Sequence, residues 1–346
     1  MFEADRVGRT LLPDNSLRSS HGRGDSSVRP HGRNAAPVTC ELSPVVYHGP
    51  VPTRAPAKSQ IKIFQAEHFE KHPWLIHGFS TRQGGSSRVY GGHALNLGFT
   101  KADSRPAVER NRAAFLAHLG ANRRQAWPLV TLRQVHSDII HRITDAPVAP
   151  LVGDGMVSNT PGIVLAIQTA DCLPVILVDP KKRAVGVFHA GWRGTVKRIV
   201  EKGVGVMRLH FNSRPGDLEA AIGPGVHNCC YTVGKEVRDQ FISQFAYGNR
   251  LFHEVKESDP VREKYPLLFL TARAPGHSNL PVNIFLNLVE ANRRQLIDKG
   301  IPAENITASD LCTSCRTDVL FSHRKERGKT GRMMGAIGIK QSGSTS

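Results

Sequence analysis

Three short apolar runs between residues 163 and 188 constrain this chain more than any other feature: Ile163-Val164-Leu165-Ala166-Ile167, Val175-Ile176-Leu177-Val178 and Ala184-Val185-Gly186-Val187-Phe188. Each is too short for a buried helix, and Pro161-Gly162 and Asp179-Pro180 punctuate them, so all three are read as buried strands. The residues at their ends carry chemistry. Cys172 follows the first run and His189 ends the third, where open α/β sheets commonly hold ligands. His136 lies apart in Arg133-Gln134-Val135-His136, 36 positions before Cys172, which is itself 17 before His189. Those gaps exceed a helical turn, so only the fold could unite the three. Taken singly, a packed thiol or a hydrogen-bonded His is the commoner role. Taken together, with Gly, Pro and Asp beside them, they match the donors of a zinc ion that keeps its fourth position open for water or substrate. A closed structural site would want four protein ligands, whereas an open one points to catalysis.

With 346 residues, 40% of them apolar and 22% charged, the chain can bury a sizeable core. No run of about 18 apolar residues exists, so no membrane span is expected. Residues 1–60 hold eight Arg/Lys against five Asp/Glu, which leaves +14 of the net +17 for the remainder. A basic body attracts anions such as phosphate or nucleotides. No nucleic-acid module is recognisable, so specific nucleic-acid binding is not expected. Six cysteines, including the adjacent pair Cys229-Cys230 and Cys312-x-x-Cys315, do not form an obvious disulfide framework and favour a reducing compartment. Residues 1–58 are rich in Arg, Ser, Gly, Pro and His without periodicity and read as a disordered extension. Glu3, Asp5, Asp14 and Asp25 count against a transit peptide, and there is no apolar signal core. A cytoplasmic protein is expected, with organelle import through the extension left open.

The folded domain is expected over 59–342. Trp74–Ser80 reads as a strand and 81–87 as a Gly/Ser-rich loop. Asp103 or Ser104 can cap a helix with Pro106 in its first turn; Val108, Phe115, Leu116 and Leu119 keep helical spacing, and Gly120 stops it. A second helix should open near Thr195 and carry Val196, Ile199, Val200, Val204 and Met207. Ala220–Ile222 is a short strand leading into Gly223-Pro224-Gly225. Phe285, Leu288, Val289 and Leu296 mark a late helix ended by Gly300 and Pro302, and Gly335–Ile339 a closing strand. Strands and helices mix without strict alternation. The expected fold class is therefore α/β, a single domain with a mixed β-sheet flanked by helices.

Around the three ligand candidates, Asp171 could be a general acid/base, an acceptor for a ligating His, or a turn-former. Arg193 in Gly-Trp-Arg-Gly at a helix start, Arg82 in its Gly/Ser-rich loop and Arg112 on the first helix could each clamp an anion. A lone Arg is more often solvated. Cys312-Thr313-Ser314-Cys315 has half a zinc knuckle's spacing with no second half downstream. Cys229 and Cys230 read as structural thiols or as competing ligands. No His-x-Glu…Pro-Cys-x-x-Cys pattern of a nucleobase deaminase is present.

These segments resemble a known family. Arg133-Gln134-Val135-His136, Gly153-Asp154-Gly155, Thr169-Ala170-Asp171-Cys172-Leu173-Pro174, His189-Ala190-Gly191-Trp192-Arg193-Gly194-Thr195 and Ile222-Gly223-Pro224 match it in order. So do Cys230-Tyr231-x-Val233-Gly234 and Cys312-Thr313 with Phe321-Ser322-x-Arg324. The chain is similar, from about Trp74 to Ile339, to the laccase-domain family, also labelled multicopper polyphenol oxidase-like, whose members are regarded as purine nucleoside phosphorylases. The resemblance implies one zinc held by His136, Cys172 and His189 in a pocket for purine nucleosides. It further implies phosphorolysis of adenosine, inosine, guanosine and methylthioadenosine, and deamination of adenosine. On that footing Arg82 and Arg112 are the phosphate candidates, Asp171 the proton shuttle, and Arg193 and Gln134 the substrate contacts. Two positions depart from the family: Gly225, where Cys often follows Ile-Gly-Pro, and His323, where Tyr often precedes the late Arg. Copper would accept the same donors, but a multicopper centre needs linked His pairs and His-x-His is absent. A noncatalytic, basic, zinc-stabilised interaction protein is the remaining alternative. A monomer or small homo-oligomer is expected.

Overall fold

The computed structural model describes residues 60–121, 127–256 and 282–341. The extension over 1–58, the expected domain limits at 59 and 342, and Cys40 lie outside the described residues. The first elements are β1 (Ile63–Phe64), β2 (Leu75–Ser80), β3 (Gln83–Ser87) and helix α1 (Arg105–Leu119). A run of strands follows: β4 (Leu129–Val130), β5 (Ile140–Arg142), β6 (Gly155–Ser158), β7 (Val164–Thr169), β8 (Leu173–Asp179) and β9 (Ala184–Ala190). Helices α2 (Trp192–Val196) and α3 (Ile199–Phe211) lead to β10 (Glu219–Ile222), β11 (Thr232–Val233), α4 (Lys235–Gln244) and β12 (Phe252–Lys256). The last elements are β13 (Val282–Leu286), α5 (Leu288–Asp298), β14 (Ile306–Ala308) and β15 (Met333–Ile339).

The chain is α/β, as expected, but among the described residues its strands form three sheets rather than one. A five-stranded sheet runs β1-β2-β15-β7-β4, a six-stranded sheet β14-β10-β8-β9-β6-β5, and a small sheet β11-β13-β12. Both large sheets are mixed: β4 is parallel to β7, β14 to β10 and β5 to β6, and their other pairings are antiparallel. Side-chain alternation assigns the layers. Leu165 and Ile167 of β7 meet Ile176 and Val178 of β8 and Val185 and Val187 of β9 between the large sheets. Val164 and Ala166 face the other way, onto Phe115 and Leu119 of α1. Val175, Leu177 and Phe188 turn outward onto Ile199, Val204 and Met207 of α3 and Leu288 and Leu296 of α5. Strands buried on both faces are why the central runs are continuously apolar.

Phe188 pins the register of β9. Cβ atoms at Gly203, Gly155 and Gly186 would stand 2.6, 2.8 and 2.9 Å from its ring, so three glycines make its pocket. Burying it contributes about 3 kcal/mol. Helix α1 begins where expected, with the Ser104 hydroxyl accepting from Ala107 N, and ends at Gly120, whose φ of 82° favours glycine. Elsewhere local signals were misleading. Residues 83–87, read as loop, are extended and bridge to Ala94. Phe285 belongs to β13 rather than to α5. The helix expected from Thr195 is two helices, broken at Arg198 (φ 65°), whose guanidinium donates to Gln244 O.

His77 of β2 is 4% exposed, accepts from Ala66 N at 3.0 Å and meets the Phe69 ring edge-on. Burial holds its pKa down to about 4. Between that value and the unfolded 6.5 the unfolded chain binds more protons, so this contribution is complete above pH 6.5 and is lost as the pH falls towards 4. It amounts to about 3 kcal/mol. Urea unfolding at pH 7 and pH 4.5 should show a smaller loss for His77→Gln than for the parent; equal losses would exonerate His77.

Candidate active site and metal centre

Strand alternation continues from Val185 and Val187 to His189 at the end of β9, so its imidazole emerges at the seam between the two large sheets. Cys172 reaches the same seam from the turn joining β7 and β8, where Pro174 pairs with His189 across the ladder. His136 arrives from the loop after β4. The ligand atoms of all three lie within 4.8 Å of one another, with Cys172 Sγ 3.8 Å from His136 Nε2 and the imidazole centroids 4.9 Å apart. In a tetrahedral site with bonds of roughly 2.0–2.3 Å, neighbouring donors stand about 3.5 Å apart. Gly191 keeps the space clear, since a Cβ there would lie 2.8 Å from Cys172 Sγ and 3.1 Å from His136 Cδ2. The residues present therefore fit a three-ligand metal centre with an open side.

The organiser of this centre is Asp154, fully buried immediately before β6. Its carboxylate accepts from the amides of Val135 (3.2 Å), His136 (3.1 Å) and Ser137 (2.6 Å), from Ser137 Oγ (2.7 Å) and from His189 Nδ1 (2.8 Å). It fixes the loop that presents His136, which sits at φ 57°, and it leaves His189 Nε2 as that ring's metal-facing nitrogen. Burial would raise the Asp154 carboxyl, but hydrogen bonds from His189 and Ser137 hold it well below the usual carboxylate range. Burial also opposes charge on Cys172, yet the His189 and His136 imidazoles outweigh it and bring its pKa to about 6. His189 is carried up to about 9, against burial, by the Cys172 thiolate and Asp154. Each group thus favours the charged form of the other, and metal affinity should rise with pH as the His189 proton is displaced.

The three donors line a cavity of ≈ 580 Å³ together with Arg133, Gln134, Gln168, Asp171, Tyr231, His323, Arg324 and Arg332. Asp171, at φ 90°, does not receive a ligating His; that acceptor is Asp154. Its oxygens instead take Thr313 Oγ1 (2.7 Å), Ser322 Oγ (2.7 Å) and the Arg324 amide (2.6 Å). Gln134 reaches the cavity while both ends of its amide are spent on the Gln168 backbone. Arg193 is not in this lining; it is exposed and stacks on Trp192 at 4.4 Å. Arg82 is also elsewhere: its guanidinium donates to Thr317 O, Tyr90 O and Glu326 and lies over Phe321, pinning the loop that carries Ser322 and Arg324. Arg112 donates to Leu97 O and stacks on Phe99, outside the cavity. The Gly/Ser-rich loop around Arg82 and the helix position of Arg112 pointed to anion ligands, but carbonyl acceptors and aromatic faces claim both guanidiniums. Asp154, Tyr231, Arg324 and Arg332 escaped assignment from sequence. The signal for Asp154 was an acid between two glycines, a pattern that reads equally well as a turn.

An α/β sandwich with a half-open thiolate–imidazole centre at the seam of its sheets defines the class. The chain belongs to the family described as multi-copper polyphenol oxidoreductase laccase, whose model matches residues 76–340. It is 34% identical over 280 residues to purine nucleoside phosphorylase YlmD of Geobacillus stearothermophilus, covering 77% of this chain and 90% of that one. It is 36% identical over 268 residues to a purine nucleoside phosphorylase of Deinococcus radiodurans, covering 76% and 88%. Among solved structures, the Bacillus licheniformis hypothetical protein YfiH superposes with a TM-score of 0.66 at 32% identity, covering 83% of this chain and 98% of that one. Among the described residues no helix is long and apolar enough to cross a membrane.

Replacing Asp154 by Asn puts an N–H₂ where both oxygens accept hydrogen bonds. Metal affinity should fall about 10- to 100-fold with circular dichroism unchanged. Competition titration against a chelator measures it; an unaltered affinity would remove Asp154 as organiser.

Proposed function

We propose that this chain is a zinc-dependent purine nucleoside phosphorylase, acting on adenosine, inosine, guanosine and methylthioadenosine, with hydrolytic deamination of adenosine as a second activity of the same centre. The observation that carries the proposal is the open three-donor centre set in a cavity lined, among the described residues, by Arg133, Arg324 and Arg332 against a single carboxylate, Asp171. Bound there by His136, Cys172 and His189, zinc would supply a Lewis acid that polarises an oxygen of water, phosphate or substrate. The relatives named as purine nucleoside phosphorylases support the substrate class.

The chain's own groups divide the remaining work. Arg324 is the anion ligand in place of Arg82 and Arg112: its backbone is tied to Asp171, its guanidinium donates to Thr232 Oγ1 and it lies over the Tyr231 ring at 5.0 Å. A guanidinium held on both sides offers its remaining donors to phosphate at little entropic cost. Tyr231 is 9% exposed, and burial, with the Cys172 charge next, pushes its phenol pKa up. It therefore stays neutral and presents an apolar face to a purine. In phosphorolysis the bond between the base and ribose C1′ breaks as phosphate bonds to C1′, and the departing base takes up a proton. In deamination water replaces the amino group at C6 and ammonia leaves. Asp171 holds the proton exchanged in either case, beside the Thr313 and Ser322 hydroxyls. Gln134 and Gln168 close one wall. A thiolate ligand stays intact in a reducing compartment, which supports the cytoplasm as the site of the activity.

The test is product analysis with inosine and adenosine, with and without phosphate, alongside metal content. Base plus ribose 1-phosphate supports phosphorolysis and inosine from adenosine supports deamination. Neither product, or phenol oxidation scaling with bound copper, would overturn the reading. Arg324→Ala should raise the KM for phosphate about tenfold more than that for the nucleoside, the loss of one charge-assisted hydrogen bond. Parallel changes in both constants would take Arg324 out of the phosphate site.

A further inference from the structure

From sequence alone Cys312-Thr313-Ser314-Cys315 is half a knuckle with nothing downstream to complete it. The structure supplies the other half upstream. Strands β10 and β14 are parallel neighbours, pairing Ala220 with Ile306 and Ile222 with Ala308, so the loops that follow them leave the sheet at the same end. The first loop carries Cys229 and Cys230, the second Cys312 and Cys315. A bridge between Gly225 and Cys312, with Thr313 N donating to Gly225 O at 2.9 Å, sets the two loops in register. All four sulfurs lie within 4.8 Å of one another, Cys315 Sγ standing 3.4 Å from Cys230 Sγ and 3.6 Å from Cys229 Sγ.

Four thiolates around one zinc at about 2.3 Å stand about 3.8 Å apart, within the range these sulfurs span. None of the four is disulfide-bonded. Their surroundings are also those of ligands. The His227 amide donates to Cys312 Sγ at 3.5 Å, and the amides of Ser314 and Cys315 hydrogen-bond to the same sulfur. Backbone N–H groups aimed at a sulfur are what orients and supports a metal thiolate; thiols that merely fill a core have no call for three. Cys312 is buried and the other three are half-buried, so a central ion would be shielded from solvent by the sulfurs themselves.

We propose that Cys229, Cys230, Cys312 and Cys315 bind one zinc ion in a closed four-thiolate site that staples together the two loops walling the active-site cavity. Four protein ligands leave no position for substrate, so this ion is structural and distinct from the open centre at His136, Cys172 and His189. Its effect reaches the cavity through sequence neighbours. Cys230 precedes Tyr231, and Cys312 precedes Thr313, whose hydroxyl donates to Asp171. Binding that exists only in the folded chain adds its free energy to folding.

Zinc content of the full chain, purified without chelator, tests this independently of the catalytic assignment. The parent should carry two zinc ions, Cys172→Ala one and Cys315→Ser one, with a lower Tm for Cys315→Ser. One zinc in both the parent and Cys172→Ala, with none in Cys315→Ser, supports this site while removing zinc from the catalytic centre. Should Cys315→Ser fail to fold, X-ray absorption at the zinc edge of Cys172→Ala decides, and four sulfurs at about 2.3 Å are expected. Zinc-free Cys172→Ala, a zinc shell of nitrogen and oxygen, disulfides among these cysteines in the intact mass, or a visible iron–thiolate band would each overturn the proposal.

Discussion

A buried carboxylate receiving five hydrogen bonds is the interaction on which the site depends. Leaving Asp154 charged and unpartnered at zero exposure would cost several kcal/mol. The chain avoids that by folding the 135–137 backbone around it and turning His189 towards it. Hydrogen bonds to a charged group contribute about 1.5–3 kcal/mol each. That is enough to hold His136 at a φ of 57°, where a non-glycine residue is strained. One residue thus determines the position of one donor and the tautomer of another, which neither ligand segment could secure alone.

The architecture places this carboxylate where it is useful. Two sheets packed face to face bury their shared surface with Leu165, Ile167, Ile176, Val185 and Val187, and the apolar filling stops where the strands end. Donors projecting from the ends of that layer share a seam with low-dielectric walls on two sides. Cys172 and His189 can therefore shift one another's protonation far more than they would in water. Phe188, locked among three glycines on the opposite face of β9, prevents the one-residue slip that would turn His189 to the helix side.

Legibility from sequence followed the range of the interaction. The central strands, the caps of α1 and the positions of Cys172 and His189 at strand ends were readable because turn chemistry and apolar runs are local. The partition into three sheets was not, because β15 pairs with β2 and β7 across most of the chain and no local signal encodes a partner. Arg82 stood out by its Gly/Ser-rich loop and Arg112 by its place on the first helix, yet a loop rich in glycine needs internal donors as much as a ligand does, and the structure gives both guanidiniums to backbone carbonyls. The same limit hid the four-cysteine cluster: its halves are 82 positions apart, Cys230 to Cys312, and in reverse order from a tandem knuckle.

The proposed chemistry asks two things of one cavity, and its charges answer both. Phosphate is a dianion that must be drawn from water and held near a neutral sugar carbon, and Arg133, Arg324 and Arg332 supply the field. A purine needs a surface that does not compete for that phosphate, which the neutral Tyr231 provides beside Arg324. The one acid in the lining among the described residues, Asp171, would repel phosphate if it faced the cavity unscreened. Thr313, Ser322 and the Arg324 amide spread its charge over three donors. Arg82 takes part at one remove, through Glu326, whose carboxylate also accepts from the Ser322 amide. The loops around Asp171 thus form a single hydrogen-bonded unit, so fixing their cysteine-bearing ends fixes the balance of charge that phosphate meets.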